Sequence, residues 1–462
     1  MALIGIDIGT SFVKGAVLDL DTQQITHIKR SPFPPPLVST SPLYREYDPH
    51  IILEAVRGLV HELAPLAGTC EGLVMCNQMH GLVFTSPTGE ARSTLTTWQD
   101  QRVLMPHPSG KGTYFDVMMS RLSADGHRQL GNELRVGLPI GNLFWMRERG
   151  ELPTDDTMPV SMPDYVLANL CHTTPTTEII NAQSHGALNL ETLNWHQGVL
   201  AKLGLDQMRW PDIRQHGERV GTMKVAGQEF PCYTPIGDFQ CALLGALLSE
   251  GELSVNISTG SQVSLLRPQI EFGNFQTRPF FDGNCLITVT TIPAGRALTA
   301  LIKLLTELAD SQGVQLSDPW EYITRAAEAA SKPDMRVHLA FYSTPVGDHG
   351  EITNIQEGEL TVGHLFRAAF ESMAANYLTC ARRLSPDQAW QQIAFSGGLA
   401  QKIALLRQLI SEQFGVPYRM APHTEDTLFG LLALGMAFTG RTRTVQSATK
   451  ILANATSSTR GQ

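Results

Sequence analysis

The sequence predicts an α/β protein of two similar domains. Three observations carry this expectation. At 462 residues the chain has room for more than one domain, since domains run to roughly 100–200 residues each. A strand–turn–strand pattern occurs at 3–18 and again at 253–266. The last third alternates helix-spaced and strand-like apolar stretches, the pattern of a sheet covered by helices.

Charged residues make up 17% and hydrophobic residues 42%, which fits a large buried interior and argues against a disordered chain. The net charge is −9 and Lys/Arg clusters are lacking. Binding to nucleic acid is therefore not expected, because phosphate backbones need such clusters. The opening residues MALIGIDIGTSF lack the basic region and apolar run of a signal peptide. No apolar stretch of about 18 residues runs unbroken, so no membrane span is expected. The seven cysteines are scattered without C-x-x-C, and the 14 histidines include no H-E-x-x-H. A disulfide framework or zinc site is not expected, and a reducing cytoplasm fits best.

In chain order, Leu3 to Ile8 and Phe12 to Leu18 read as strands around a turn at Gly9-Thr10-Ser11. Ser31 to Pro42 reads as an exposed loop. Ile52, Ala55, Val56, Leu59 and Val60 are spaced for a helix over 51–63. Strands are expected at Gly72 to Met75 and Leu82 to Thr85, and helices around Phe144 to Met146 and Tyr165 to Leu170. Leu253 to Leu266 repeats the hairpin around Ser258-Thr259-Gly260-Ser261. A helix face follows at Phe366, Ala369, Phe370, Met373 and Tyr377, then a strand at Ile393 to Phe395. The next helix, marked by Ile403, Leu406, Leu409 and Ile410, should stop at Gly415. Val416 to Met420 reads as an edge strand because of Pro417. Leu428 to Phe438 is expected to be a helix whose small residues Gly430, Ala433 and Ala437 suit close packing. The polar tail from Asn454 is expected to be disordered.

Four constellations can carry chemistry. In Asp7-x-Gly9-Thr10-Ser11-x-x-Lys14 the turn N–H groups and two hydroxyls can cradle phosphate oxygens. Lys14 adds positive charge, and Asp7 at a strand end can hold a hydrated magnesium ion. An ordinary hairpin with a stray Asp fits the same residues equally well. Ser258-Thr259-Gly260-Ser261 alone reads better as a plain turn, and gains meaning when paired with the first hairpin. Ser396-Gly397-Gly398 ends a strand before a helix, where ligands of open α/β sheets bind, although a tight turn explains it as well. Gly237-Asp238-Phe239-Gln240 opens an apolar helix, and by itself Asp238 reads as a helix cap.

Taken together and in this order, the four resemble the FGGY carbohydrate kinases over most of the chain, from Leu3 to about Phe438. Gln78-Met79-His80-Gly81 looks like the sugar-site motif of the family's xylulokinases and sedoheptulokinases. Thr97-Trp98-Gln99-Asp100-x-Arg102 is more similar to the sedoheptulokinase version. The resemblance implies two actin-like (ribonuclease H-like) ATPase domains with a central cleft. Their expected extents are 1–247 for sugar and 248–443 for nucleotide, followed by a tail over 444–462.

It implies further that Asp238 is the general base and Asp7 positions Mg2+. Thr10, Ser11 and Lys14 meet phosphate from one domain, and Thr259 and Gly260 from the other. Gly397 and Gly398 line the adenosine site. Gln78, Met79, His80 and Asp238 surround the sugar, and Trp98, Asp100 and Arg102 either join them or brace them. The implied partners are ATP and a ketose, sedoheptulose ahead of xylulose or another pentulose, with a homodimer left open. A sugar sensor without catalysis, or a chaperone-like nucleotide switch, would share the fold. The family's C-terminal signature usually has Gly where this chain has Asn354, a residue that tolerates left-handed backbone.

Overall fold

The computed structural model describes residues 1–153, 156–225 and 227–459. Two sheets repeat one plan. In the first, β1 (Ala2–Ile8), β2 (Phe12–Asp19) and β3 (Gln24–Pro32) form an antiparallel meander. β4 (Cys70–Asn77) lies parallel to β1 on its other side. β5 (Arg219–Val225) and β6 (Gln228–Tyr233) extend that flank, and the short β7 (Ile236–Gly237) pairs with the end of β4. The order is β5-β6-β4-β1-β2-β3.

In the second sheet β8 (Glu252–Ile257) and β9 (Ser261–Arg267) make the repeated hairpin. β10 (Gln276–Pro279) and β11 (Cys285–Ile292) continue it antiparallel. β12 (Gln392–Ser396) and β13 (Tyr418–Met420) add parallel strands on the far side of β8. In both sheets the hairpin's first strand therefore carries a parallel crossover strand, which is the repeated plan the sequence predicts. β13 is the edge strand, as Pro417 suggests.

Helices cover the sheets because their apolar residues recur at helical spacing. α1 (Pro49–Leu63) starts where Asp48 accepts from the His50 N–H and Pro49 fixes the first turn. It buries Ile52, Leu53, Val56, Leu59, Val60 and Leu63. The helical stretches expected in the middle of the chain are α2 (Pro139–Arg149) and α3 (Met162–Cys171). α4 (Ile179–Ser184) follows, and α5 (Asp238–Gly245) carries the fourth motif. α6 (Val362–Leu384) is the long helix of the second half and buries Phe366, Phe370, Met373 and Tyr377. Each such side chain contributes roughly 1.5–3 kcal/mol on burial. α7 (Gly398–Lys402) and α8 (Ala404–Phe414) follow β12, and α8 stops at Gly415 with φ 68°. α9 (Asp426–Phe438) and α10 (Val445–Thr459) close the chain.

α9 crosses α5 very closely. A Cβ on Gly245 would lie 1.8 Å from the Asp426 carbonyl oxygen, and one on Gly430 2.0 Å from that of Cys241. Gly430, one of the predicted small residues, serves this crossing. Asn354 takes φ 55°, the left-handed backbone expected of it.

Two expectations need correction. The loop from Ser31 begins two residues early, because Ser31 and Pro32 pair with Val13 and Phe12 at the outer edge of β3. The tail from Asn454 is helical as far as Thr459, since α10 is anchored by buried Val445, Ala448 and Leu452. Residues 460–462 of that tail lie outside the described residues. Among the described residues, no helix is long and apolar enough to cross a membrane.

Candidate active site

The ends of β1, β4 and β7 lie side by side, with Asp7 paired to Cys76, Cys76 to Ile236 and Asn77 to Gly237. This register gathers the first and fourth motifs at one end of the central strands. Asp7 is buried, accepts a hydrogen bond from Thr427 Oγ1 at 2.8 Å and lies 3.9 Å from Lys14 Nζ. Burial raises its pKa, while Thr427 and Lys14 oppose the rise. Lys14 also binds Glu425 at 2.8 Å, and Arg30 pairs with the same carboxylate. Burial works against the Lys14 charge, yet Glu425 and Asp7 outweigh it and raise its pKa.

Asp238 is the first residue of α5, and Gly237 occupies the N-cap position in its place. Burial pushes the Asp238 carboxyl up to about 7, and the charge of Asp7 adds to the rise. Asp426 is raised to about 6, first by burial and also by Asp7. The charge of Asp7 thus raises the proton affinity of both Asp238 and Asp426, and Asp238 falls in the range where a general base operates.

The sugar-type motif adjoins this group. A Cβ on Gly237 would come within 2.8 Å of Met79 Sδ. Gln78 Oε1 accepts from Thr10 Oγ1 and from Trp98 Nε1, each at 3.2 Å. Trp98 is 46% exposed, so its ring is available as a flat apolar platform. His80 sits at φ 68° with Nδ1 2.9 Å from the Ser184 carbonyl oxygen. Asp100 is fully buried, and both its oxygens are held by Arg102 at 2.8 Å. The Arg45 N–H donates a further bond to Asp100 Oδ2 at 2.9 Å. Of the two readings open for Asp100 and Arg102, the arrangement favours bracing over sugar contact.

The second and third motifs meet elsewhere. A Cβ on Gly397, whose φ is 91°, would lie 2.4 Å from the Ile257 carbonyl oxygen, so the turn at 396–398 packs directly on the second hairpin. Asn256 Nδ2 ties Ser396 Oγ to that hairpin at 2.9 Å. Thr259 and Gly260 are exposed at its tip, and Gly398 opens α7. Ser11 is exposed at the tip of the first hairpin beside Thr10. A cavity of about 400 Å³ is lined by Ser258, Thr259, Gly295, Trp320, Leu399 and Lys402.

Sequence reasoning missed Glu133, Arg135, Arg278, Glu425, Asp426 and Thr427. Glu133 receives Arg135 at 2.9 Å and pairs with Arg278, whose guanidinium lies 5.0 Å over the Phe239 ring. No motif marks these residues, because Glu133 meets Arg278, Glu425 meets Lys14 and Thr427 meets Asp7 only across long stretches of chain. Asp426 and Thr427 alone carried a local signal, since they stand in the first turn of a recognisable helix.

Hydroxyl-bearing hairpin tips in both halves and a buried carboxylate of raised pKa beside an apolar–aromatic surface define a phosphotransferase-like site on a duplicated α/β fold. Residues 2–245 match the N-terminal domain of the FGGY family of carbohydrate kinases and residues 305–438 its C-terminal domain, so the chain belongs to that family. It is an ATP-dependent phosphotransferase with an alcohol group as acceptor. It is 24% identical to the sedoheptulokinase of Homo sapiens, covering 90% of this chain and 93% of that protein. It is 25% identical to the glycerol kinase of Citrifermentans bemidjiense, covering 93% and 88%. The xylulose kinase structure from Lactobacillus acidophilus superposes with a TM-score of 0.83 at 19% identity, covering 97% of this chain and 91% of that one. The fold is accordingly the two-domain actin-like one.

Proposed function

We propose that this kinase phosphorylates a ketose at the primary hydroxyl farthest from the ketone, with sedoheptulose the preferred substrate. The observation that carries the reading is the approach of Met79 to Gly237, which sets the sugar motif against the helix start bearing Asp238. Asp238 accepts the hydroxyl proton as the oxygen attacks the γ-phosphoryl group. A carboxylate suffices because the proton moves late in a loose transition state. Trp98 offers the sugar an apolar face and Met79 an adaptable one. The preference for a heptulose rests on Trp98-Gln99-Asp100 and on Phe239, where the family's xylulokinases usually carry Asn. The similarity to the human sedoheptulokinase supports it.

The turns at Thr10-Ser11 and Thr259-Gly260 suit the phosphates, with residues 1–247 taking sugar and 248–443 nucleotide. We assign adenosine to the cavity lined by Ser258, Thr259, Trp320 and Leu399; Gly397 and Gly398 directly precede Leu399 in the chain. Among the described residues no three His, Cys, Asp or Glu side chains are grouped to hold a metal. The single buried carboxylate of Asp7 suits magnesium, which keeps much of its water and takes phosphate oxygens. Asp7 would hold it through that water, and the ion would supply charge neutralisation at the phosphates.

ADP release measured with sedoheptulose, D-xylulose, D-ribulose and glycerol tests the proposal. A kcat/KM for D-xylulose ten times that for sedoheptulose sinks the heptulose assignment. A preference for glycerol sinks the ketose reading.

A further inference from the structure

The ring of His80 has no nitrogen left for a sugar. Nδ1 faces the Ser184 carbonyl oxygen at 2.9 Å, and Nε2 lies 2.7 Å from Arg135 Nη2. A guanidinium only donates, so Nε2 accepts and the ring proton sits on Nδ1, where Ser184 takes it. Burial holds the imidazole well below its ordinary pKa, and the Arg135 charge adds to this. The ring is therefore neutral and fully engaged.

Arg135 is engaged only in part. Its side chain is 34% exposed, whereas Glu133, which receives its Nη1 at 2.9 Å, is 3% exposed. Two of the contacts its donors make are with Glu133 and His80, and a guanidinium has five N–H groups in a rigid fork. Glu133 also holds Arg278, itself 4% exposed, and Arg278 covers the ring of Phe239 next to Asp238. One buried carboxylate thus fixes two cations, one on His80 and one on Phe239. The backbone locks this arrangement, because the Thr277 N–H donates to the Gly131 carbonyl oxygen at 2.9 Å.

We propose that Arg135 is the specificity-determining residue of the sugar site, donating hydrogen bonds to oxygen acceptors of the sugar, and that Glu133 is the positioning residue that holds it there. The inference rests on the sugar-kinase reading above. A donor-only group asks for lone pairs, and a ketone oxygen offers them without a proton of its own. Truncating such a donor leaves the sugar oxygen unpaired and weakens binding at least tenfold.

The test compares wild type with Arg135→Ala, Arg135→Lys and Glu133→Gln, using the best ketose of the panel above. Sugar KM should rise at least tenfold in Arg135→Ala and less in Arg135→Lys, which keeps charge without the fork. Glu133→Gln should raise it too. In all three, KM for MgATP should stay within twofold and kcat should change less than sugar KM. The ¹⁵N shifts of the His80 ring should report the Nδ1–H tautomer in wild type and move in Arg135→Ala. Arg135→Lys keeps the buried charge balance and gives a readout even where the Ala variant misfolds. A sugar KM within twofold of wild type in both Arg135 variants overturns the inference, as does an equal rise in KM for MgATP. Wild type that phosphorylates no sugar of the panel overturns the parent reading and the inference with it.

Discussion

Asp238 sits where its proton affinity is set by two things, loss of water and the charge of Asp7. Asp238→Asn keeps the shape and removes the proton acceptor. We expect kcat to fall by about 10²–10⁴ with sugar KM little changed. A variant keeping more than a tenth of wild-type kcat would take the role of base from Asp238. The pH profile gives a second handle. Only ionised Asp238 accepts a proton, so kcat/KM for sugar should drop below about pH 7. In Asp7→Asn a like charge is gone, and the limb should move to lower pH while the maximum rate falls. A limb that stays in place would show that Asp7 does not act on the base. Stability runs the other way. The folded-state pKa lies above the ordinary carboxylate value, so the folded form binds the proton more tightly. Stability is therefore lost as pH rises from about 4 to about 7. Above pH 7 the Asn variant should be more stable than wild type by on the order of 1–3 kcal/mol, read from urea midpoints.

Among the elements, α5 and α9 decide most. Their carbonyl-to-glycine contacts leave no room for a methyl group at Gly430. Gly430→Ala must push the helices apart, which typically costs about 1–3 kcal/mol, and it should reduce kcat because Asp238 rides on α5. Unchanged stability with unchanged kcat would refute the tight crossing. Both hairpins, α1, α6 and the stop at Gly415 were legible because apolar spacing and turn residues are local signals. β3 was not, since it is an edge strand with a largely exposed, polar sequence. α10 was hidden by its Ala-Thr-Ser-rich end, whose helix is held by the buried residues Val445, Ala448 and Leu452 before it. Of the candidate site, the motifs stood out in the sequence, and the structure brings the first, the fourth and the sugar-type motif together. The Arg278–Glu133 pair joins residues 145 apart, and no local pattern encodes such a meeting. For Asp100 the sequence left sugar contact and bracing both open, because only burial separates those roles.

For the molecule as a whole, the last helix serves both halves. Val445, Ala448 and Leu452 join a cluster that includes Leu3, Leu244, Phe281 and Leu432. Truncation after Thr444 would bare that cluster. We expect a melting temperature lower by about 5 °C or more, with kcat reduced because Leu244 belongs to α5. A truncated chain that melts with wild type would show α10 to be dispensable.

The crossing of α5 and α9 also matters for anyone reshaping this enzyme. Glu425, Asp426 and Thr427 stand at the start of one helix and Asp238 at the start of the other, and their spacing is fixed by backbone touching backbone. A mutagenesis library aimed at new acceptors should therefore leave positions 241, 245, 426 and 430 untouched. It should randomise 98, 135 and 239, where side chains rather than main chain shape the surface. Variation spent at the crossing would return misfolded clones, whereas variation at those three positions explores substrate range on an intact catalytic frame.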